Sequence, residues 1–250
     1  MISFSKKVWF KNSMLSVRES DLGSPEGKWV LDFGAGAGRH AYWAFSRGAN
    51  VIAVDLSMDE LCQAPAYFEA LSQERASSGI GVAIQASGLA LPFDAESFDI
   101  VIASEVFEHI QYDQDALEEI ARVVKPGGVL VVSVPRFFPE LAYWKISSQY
   151  HNVPGGHIRI YRRSGLIKLL TQGGFQVYRT HHAHALHTPY WLIRCIVGVD
   201  NTKSRLYRFY HRFLVWDITK KPRVTAELER ILNPVLGKSL VAYSIKSKGG

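Results

Sequence analysis

Along the first 135 residues, short apolar runs alternate with stretches in which apolar and polar positions recur at helical spacing. The runs cover 29–33, 51–54, 82–84, 98–103 and 129–134, each bounded by Gly, Ser, Asp or Pro. Runs of that length, joined by helical patterns over 39–48, 58–77 and 113–124, predict crossover helices on a parallel sheet. Lys125-Pro126-Gly127-Gly128 is expected to stop the last of these helices. Beyond Pro135 the pattern loosens into an aromatic loop to Arg163, a helix over 164–172 and a strand near 175–179. A long insert over 185–237 then precedes a final strand-like run, 239–245. Inside the insert Leu206, Phe209, Tyr210 and Phe213 recur on one side of a helical pattern and Arg205, Arg208 and Arg212 on the other, which reads as an amphipathic basic helix.

Composition narrows the class. With 47% hydrophobic and 21% charged residues in 250, the chain is neither disordered nor collagen-like, and one elaborated domain or two small ones are expected. The net charge of +6 conceals two halves of opposite sign: residues 1–135 hold 10 Lys+Arg against 18 Asp+Glu, residues 136–250 hold 19 against 5. Seven of the nine histidines also lie in the second part, so that part is expected to face something anionic, such as a phosphate, a nucleic acid or an acidic lipid surface. Cys62 and Cys195 are too few for a disulfide framework and lack metal-ligand spacing, which fits a reducing compartment and inert thiols. No run of apolar residues is long enough to span a bilayer, and Lys6, Lys7 and Lys11 among Trp9 and Phe10 do not form a signal sequence. A cytoplasmic protein, peripheral to the inner face of the membrane through its basic half, is the expectation.

The candidate chemistry begins with Asp32-Phe33-Gly34-Ala35-Gly36-Ala37-Gly38-Arg39, where a strand turns into a helix and glycines let a ligand approach the backbone. At the end of the next strand Asp55 supplies a carboxylate suited to ribose hydroxyls, so a nucleotide with an adenosine part fits. Gly36-x-Gly38-x-x-Ala41 also satisfies a dinucleotide template, which leaves a nicotinamide or flavin oxidoreductase open at this point. Three further stretches accompany the turn: Leu91-Pro92-Phe93 with Ser97-Phe98-Asp99-Ile100-Val101, Glu105-Val106-Phe107-Glu108-His109, and Lys125-Pro126-Gly127-Gly128-Val129-Leu130. Together, from Trp29 to Pro135, they resemble class I S-adenosylmethionine-dependent methyltransferases of the type 11 kind. The resemblance implies a doubly wound, Rossmann-like α/β fold with seven strands in the order 3-2-1-4-5-7-6, the last antiparallel, and S-adenosylmethionine as cofactor. Asp32, Gly34, Gly36 and Gly38 then match the loop around its methionine part, Asp55 the ribose ligand and Leu56 a flank of adenine, with Ser87, Gly88, Leu89 and Ser104 completing the cofactor site. Where many relatives carry an Asp for the adenine amino group this chain reads Ala86-Ser87-Gly88; Ser87 can still accept one hydrogen bond, and the lost carboxylate costs about 1 kcal/mol of cofactor binding.

A sulfonium methyl is already activated, so aligning it with the nucleophile is the main task, and orientation can supply about 7–11 kcal/mol. A hydroxyl acceptor additionally needs a base or metal to take its proton. Glu105, Glu108 and His109 stand at i, i+3 and i+4 and share a face if that segment is helical, and His157 follows the fifth strand. These donors suit Mg²⁺, Mn²⁺ or Fe²⁺. The set resembles the metal site of ubiquinone-biosynthesis O-methyltransferases and of small-RNA 2′-O-methyltransferases; without a metal, His109 or His157 is the expected general base. His181, His182, His184 and His187 invite a metal reading, but strand alternation separates them, so His184 or His187 is instead expected to line the acceptor pocket with Arg159, Tyr190 and Trp191.

The expected division is a cofactor core over 29–135, an acceptor loop over 136–163 and an aromatic, basic lid over 185–237, all in one domain. The reading is O-methylation of a small-molecule, glycan or lipid-linked hydroxyl, with anionic acceptors and contact with anionic membrane as the partners the basic half suits. C- or N-methylation of a quinone-like molecule, RNA ribose methylation, an oxidoreductase and a non-catalytic cofactor-binding protein are the alternatives. RNA is disfavoured because no RNA-binding module is recognisable.

Overall fold

The computed structural model describes residues 15–73, 79–153, 155–220 and 222–247. The expectations placed on Lys6, Lys7, Trp9, Phe10 and Lys11, and on the end of the helix over 58–77, lie outside them. Seven strands run β1 Trp29–Phe33, β2 Asn50–Asp55, β3 Gly81–Gln85, β4 Phe98–Ser104, β5 Val124–Pro135, β6 Phe175–Ala183 and β7 Ser239–Lys246. They form one sheet in the order β3-β2-β1-β4-β5-β7-β6, with β7 antiparallel to both of its neighbours and the first five strands parallel, as the resemblance implies.

Alternation along the strands sends neighbouring residues to opposite faces, and both faces are covered. On one face Leu31, Phe33, Val101, Ala103, Leu130 and Val132 pack with Leu117 and Ile120 of the helix Asp113–Val123 and Leu166 and Leu170 of the helix Arg163–Gln172. On the other, Val30, Val51, Ala53, Ile100, Ile102 and Val131 pack with Ala41, Ala44 and Phe45 of the helix Arg39–Phe45 and Phe68 and Leu71 of the helix Ala64–Gln73. In chain order these are α1 (Arg39–Phe45), α2 (Ala64–Gln73) and α3 (Asp113–Val123), followed by α4 (Phe137–Ile146), α5 (Arg163–Gln172), α6 (His187–Val197), α7 (Arg205–Lys220) and α8 (Arg223–Leu236).

Five features differ from the sequence pattern. The helical stretch after β2 breaks at Cys62–Gln63 into Met58–Leu61 and α2, because Pro65 has no N–H with which to continue an unbroken helix. Lys125-Pro126-Gly127-Gly128 lies within β5 as a bulge: Phe98 pairs with Val124 but Ile100 with Val129. The aromatic stretch after Pro135 is helical, as α4 and Ser148–His151. β6 runs on to Ala183, so His181 and His182 are strand residues paired with Val241 and Leu240. In α7 Leu206 and Phe209 are exposed, Phe209 by 72%, and the helix is seated by Leu214 and Ile218 instead.

Candidate active site

The order of the sheet reverses between β1 and β4, and the carboxyl ends of the strands there open into the crevice where α/β proteins receive ligands. A cavity of about 540 Å³ lies at this point, lined by Gly34, Asp55, Leu56, Ser87, Gly88 and Leu89 from the β1, β2 and β3 ends, and by Glu105, Val106, His109 and Tyr112 after β4. Two glycines in it are required by space. A Cβ on Gly34, which has φ of 66°, would stand 2.5 Å from a Val106 methyl, and one on Gly88 would stand 2.4 Å from the Phe33 ring.

Asp55 accepts the Gly36 N–H at 2.8 Å on one carboxylate oxygen and the Ser57 N–H at 2.9 Å on the other. Each oxygen keeps a lone pair, so the carboxylate can still accept from two hydroxyls. Leu56 is 72% exposed and Leu89 is also exposed, two apolar surfaces beside the cavity that a flat base would cover. Ser87 Oγ accepts the Leu89 N–H at 3.2 Å. Carboxylate, glycine backbone and apolar flanks together fit the adenosine of S-adenosylmethionine.

Four residues expected in the cofactor site do not line this cavity. Asp32 is buried and accepts the Ala41 N–H at 2.8 Å, anchoring the start of α1; burial pushes its carboxyl up to about 7. Gly36 acts through its N–H on Asp55, and Gly38, with φ of 79°, stands at the N-terminus of α1. Ser104 Oγ bonds Ser133 Oγ at 2.8 Å and Ser16 Oγ at 3.2 Å, in a hydroxyl chain that reaches His184 Nε2 at 3.1 Å from Ser16.

Beyond β4 the chain turns sharply, with Glu105 at φ of 57° and a single 3₁₀ turn over Phe107–His109. The shared helical face expected for Glu105, Glu108 and His109 therefore does not form. Glu105 meets Lys238 at 3.0 Å and accepts from Ser133 Oγ at 3.2 Å; burial favours its neutral form, but the Lys238 ammonium outweighs this and holds the carboxyl below its usual range. Glu105 accordingly leaves the candidate metal set. Glu108, His109 and His157 do converge, with one potential ligand atom from each within 4.8 Å of the others. Glu108 is fully buried, neither of its oxygens has a hydrogen-bond partner among the described residues, and burial followed by the nearby Glu105 charge drives its carboxyl well above the usual range.

His157 has a partner that sequence reading missed. Glu140, 1% exposed on α4, lies 2.5 Å from His157 Nδ1 and accepts from Trp144 Nε1 at 2.9 Å and the Tyr150 hydroxyl at 3.1 Å. A buried carboxylate on Nδ1 places the proton there and leaves Nε2 as the basic atom. The His109 ring lies 4.8 Å from that of His157, and burial with the neighbouring imidazole lowers its proton affinity. Glu140 was legible only as a lone acid in an aromatic run, four residues before Trp144, and Lys238 as a lone cation before the last strand.

The other expected acceptor residues divide. Arg159 is ion-paired with Asp113 and donates to the Gln111 carbonyl at 2.7 Å, so it braces a loop bordering the cavity. His184 and His187 are each 8% exposed, and burial, then Lys238 and Arg39, hold His187 down to about 3. Trp191 stands edge-on to Tyr150 at 5.4 Å, whereas Tyr190 packs on Tyr207 at 5.9 Å. Both cysteines are free.

Comparison with known proteins agrees with this architecture. Residues 31–132 match the family model described as a methyltransferase domain. An uncharacterized methyltransferase of Mycolicibacterium vanbaalenii is 37% identical over 211 residues, 80% of this chain and 72% of that protein. An uncharacterized methyltransferase of Mycobacterium tuberculosis H37Rv is 36% identical over 109 residues, a match spanning 44% of this chain and only 40% of that protein. Among solved structures, that of the [4+2]-cyclase SpnF superposes with a TM-score of 0.61 over 92% of this chain and 79% of its own, at 16% identity, which is a likeness of fold. The chain belongs to the methyltransferase family, whose cofactor is S-adenosylmethionine. That membership displaces the oxidoreductase that the glycine template left open.

Proposed function

We propose that this chain transfers the methyl group of S-adenosylmethionine to a hydroxyl of a small-molecule, glycan or lipid-linked acceptor, with His157 as general base. The carrying observation is the buried Glu140 carboxylate on His157 Nδ1. When bound, S-adenosylmethionine supplies a methyl carbon on a sulfonium whose departure as a neutral thioether needs no acid. Asp55 would hold the ribose hydroxyls, Gly34 and Gly88 would admit the nucleoside, and Leu56 and Leu89 would flank its base. With the acceptor in place, His157 Nε2 would take the proton of its hydroxyl as the methyl group passes to that oxygen. Glu140 stabilises the resulting imidazolium at Nδ1–H, and the insert over 185–237, through Trp191 against Tyr150, closes the acceptor side against water. A thiol or enolate would not need this base, which favours a hydroxyl.

A second reading rests on the unpartnered Glu108 oxygens beside His109 and His157, where a divalent cation could lower the acceptor's own proton affinity. The test is transfer of tritiated methyl from S-adenosylmethionine to panels of phenolic, glycosidic and prenyl-linked alcohols, with and without chelator. Chelator-resistant label in ether linkages supports the base. Label only on nitrogen or carbon overturns the hydroxyl assignment, and activity abolished by chelator and restored by Mg²⁺ or Mn²⁺ supports the cation.

A further inference from the structure

Helix α8 carries its side chains inside out. Val224, Leu228, Ile231 and Val235 recur at i, i+4, i+7 and i+11, which aligns them in one stripe, and all four are exposed, Val224 by 77% and Val235 by 72%. The residues this helix buries are polar: Thr225 and Asn233, the latter accepting the Ala185 N–H at 3.0 Å. Ordinary amphipathic helices bury the apolar stripe, so this one is placed to meet an apolar medium outside the chain.

The preceding helix supplies the charge that names the medium. On α7, Arg205, Phe209, Arg212 and Trp216 follow one another at three- and four-residue steps along one exposed face, with Arg208 four residues before Arg212 on the same side and Lys220 at its end. Phe209 is 72% and Trp216 47% exposed, and the one acidic residue of α7, Asp217, is half-buried, off this face. Arginines beside outward-facing aromatic rings are the composition of helices that lie in a membrane interface, where the guanidinium groups meet anionic headgroups and the rings enter the acyl boundary. Among the described residues no helix is long and apolar enough to cross a membrane. We propose that α7 and α8 form a docking face for an anionic lipid bilayer. None of these side chains lines the cofactor cavity.

The experiment is co-sedimentation of the full chain with vesicles of phosphatidylcholine alone and of phosphatidylcholine with 30 mol % phosphatidylglycerol, at low and high salt. Binding to the anionic vesicles, weakened by salt, with little binding to the neutral ones is expected. Replacing Arg205, Arg208 and Arg212 together by Ala should lower the partition coefficient on the order of a hundredfold, and Val224→Ser with Ile231→Ser on the order of tenfold. A thermal shift with S-adenosylhomocysteine equal to that of the unchanged chain shows that the variants are folded. Quenching of the tryptophan fluorescence by lipids brominated near the headgroup, lost in Trp216→Phe, reads the same face without depending on those variants. Equal binding to both vesicle types, no binding, or undiminished binding by the triple variant overturns the proposal. So does a lipid-free dimer that Val224→Ser with Ile231→Ser dissociates, since the stripe would then belong to a second copy.

Discussion

The parallel half of the sheet and the C-terminal helices treat polar and apolar side chains in opposite ways. In β1, β4 and β5 the interior is Val, Leu, Ile, Phe and Ala on both faces, with Asp32 and Ser133 as the buried polar residues and each of them hydrogen-bonded. Around the mouth of the same sheet, Glu108, Glu140, His184 and His187 are buried while Val224, Ile231, Val235 and Phe209 face outward. A buried carboxyl without a partner costs several kcal/mol, and an exposed valine forgoes about 1.5–3 kcal/mol of burial. The first region is therefore organised by stability, and the second carries departures from it that a ligand, a substrate or a surface must account for.

The largest effect that would break this contrast is catalytic. His157→Ala should slow methyl transfer about 10²- to 10⁴-fold in single-turnover assays while the affinity for S-adenosylhomocysteine stays within about twofold; loss of both would make His157 a structural residue. Asp32 is next. Its carboxyl stays protonated in the fold up to about pH 7, whereas the unfolded chain releases that proton near pH 4, so its contribution to stability falls as pH rises through that window. Asp32→Asn, whose amide oxygen still accepts the Ala41 N–H, should gain up to about 4 kcal/mol over the ligand-free parent at pH 8 and nothing at pH 4. Urea titrations at the two pH values check it, and an unchanged gap would contradict the assignment.

Smaller effects sharpen the boundary. Gly34→Ala, strained at its positive φ and crowded by Val106, should weaken cofactor binding about five- to a hundredfold by calorimetry. Glu140→Gln should reduce turnover about tenfold and abolish the Nδ1–H preference of His157 in nitrogen NMR, with cofactor affinity unchanged. A Gln variant that keeps the tautomer would remove Glu140 from the positioning role.

Much of this was legible because periodicity and punctuation are local. Strands β1 to β5 follow from apolar runs between turn residues, and the cofactor cavity from the Gly34 turn and Asp55 a strand later. What was not legible depends on where distant segments land. A helical face for Glu105, Glu108 and His109 is a fair reading of their spacing, but Glu105 takes a left-handed backbone and its carboxylate is drawn to Lys238, 133 residues away. Glu140 meets His157 only because α4 folds over the loop that carries the histidine. The orientation of α8 was equally hidden, since its spacing gives a stripe but not the side on which the stripe faces.

Asp55 carries the cofactor site, and calorimetric titration of S-adenosylhomocysteine into the parent chain and Asp55→Asn tests it. Saturable one-to-one binding by the parent, weakened at least tenfold in the variant, with no heat from NADH, is the expected result. Equal affinity in both proteins, or binding of NADH alone, would contradict it.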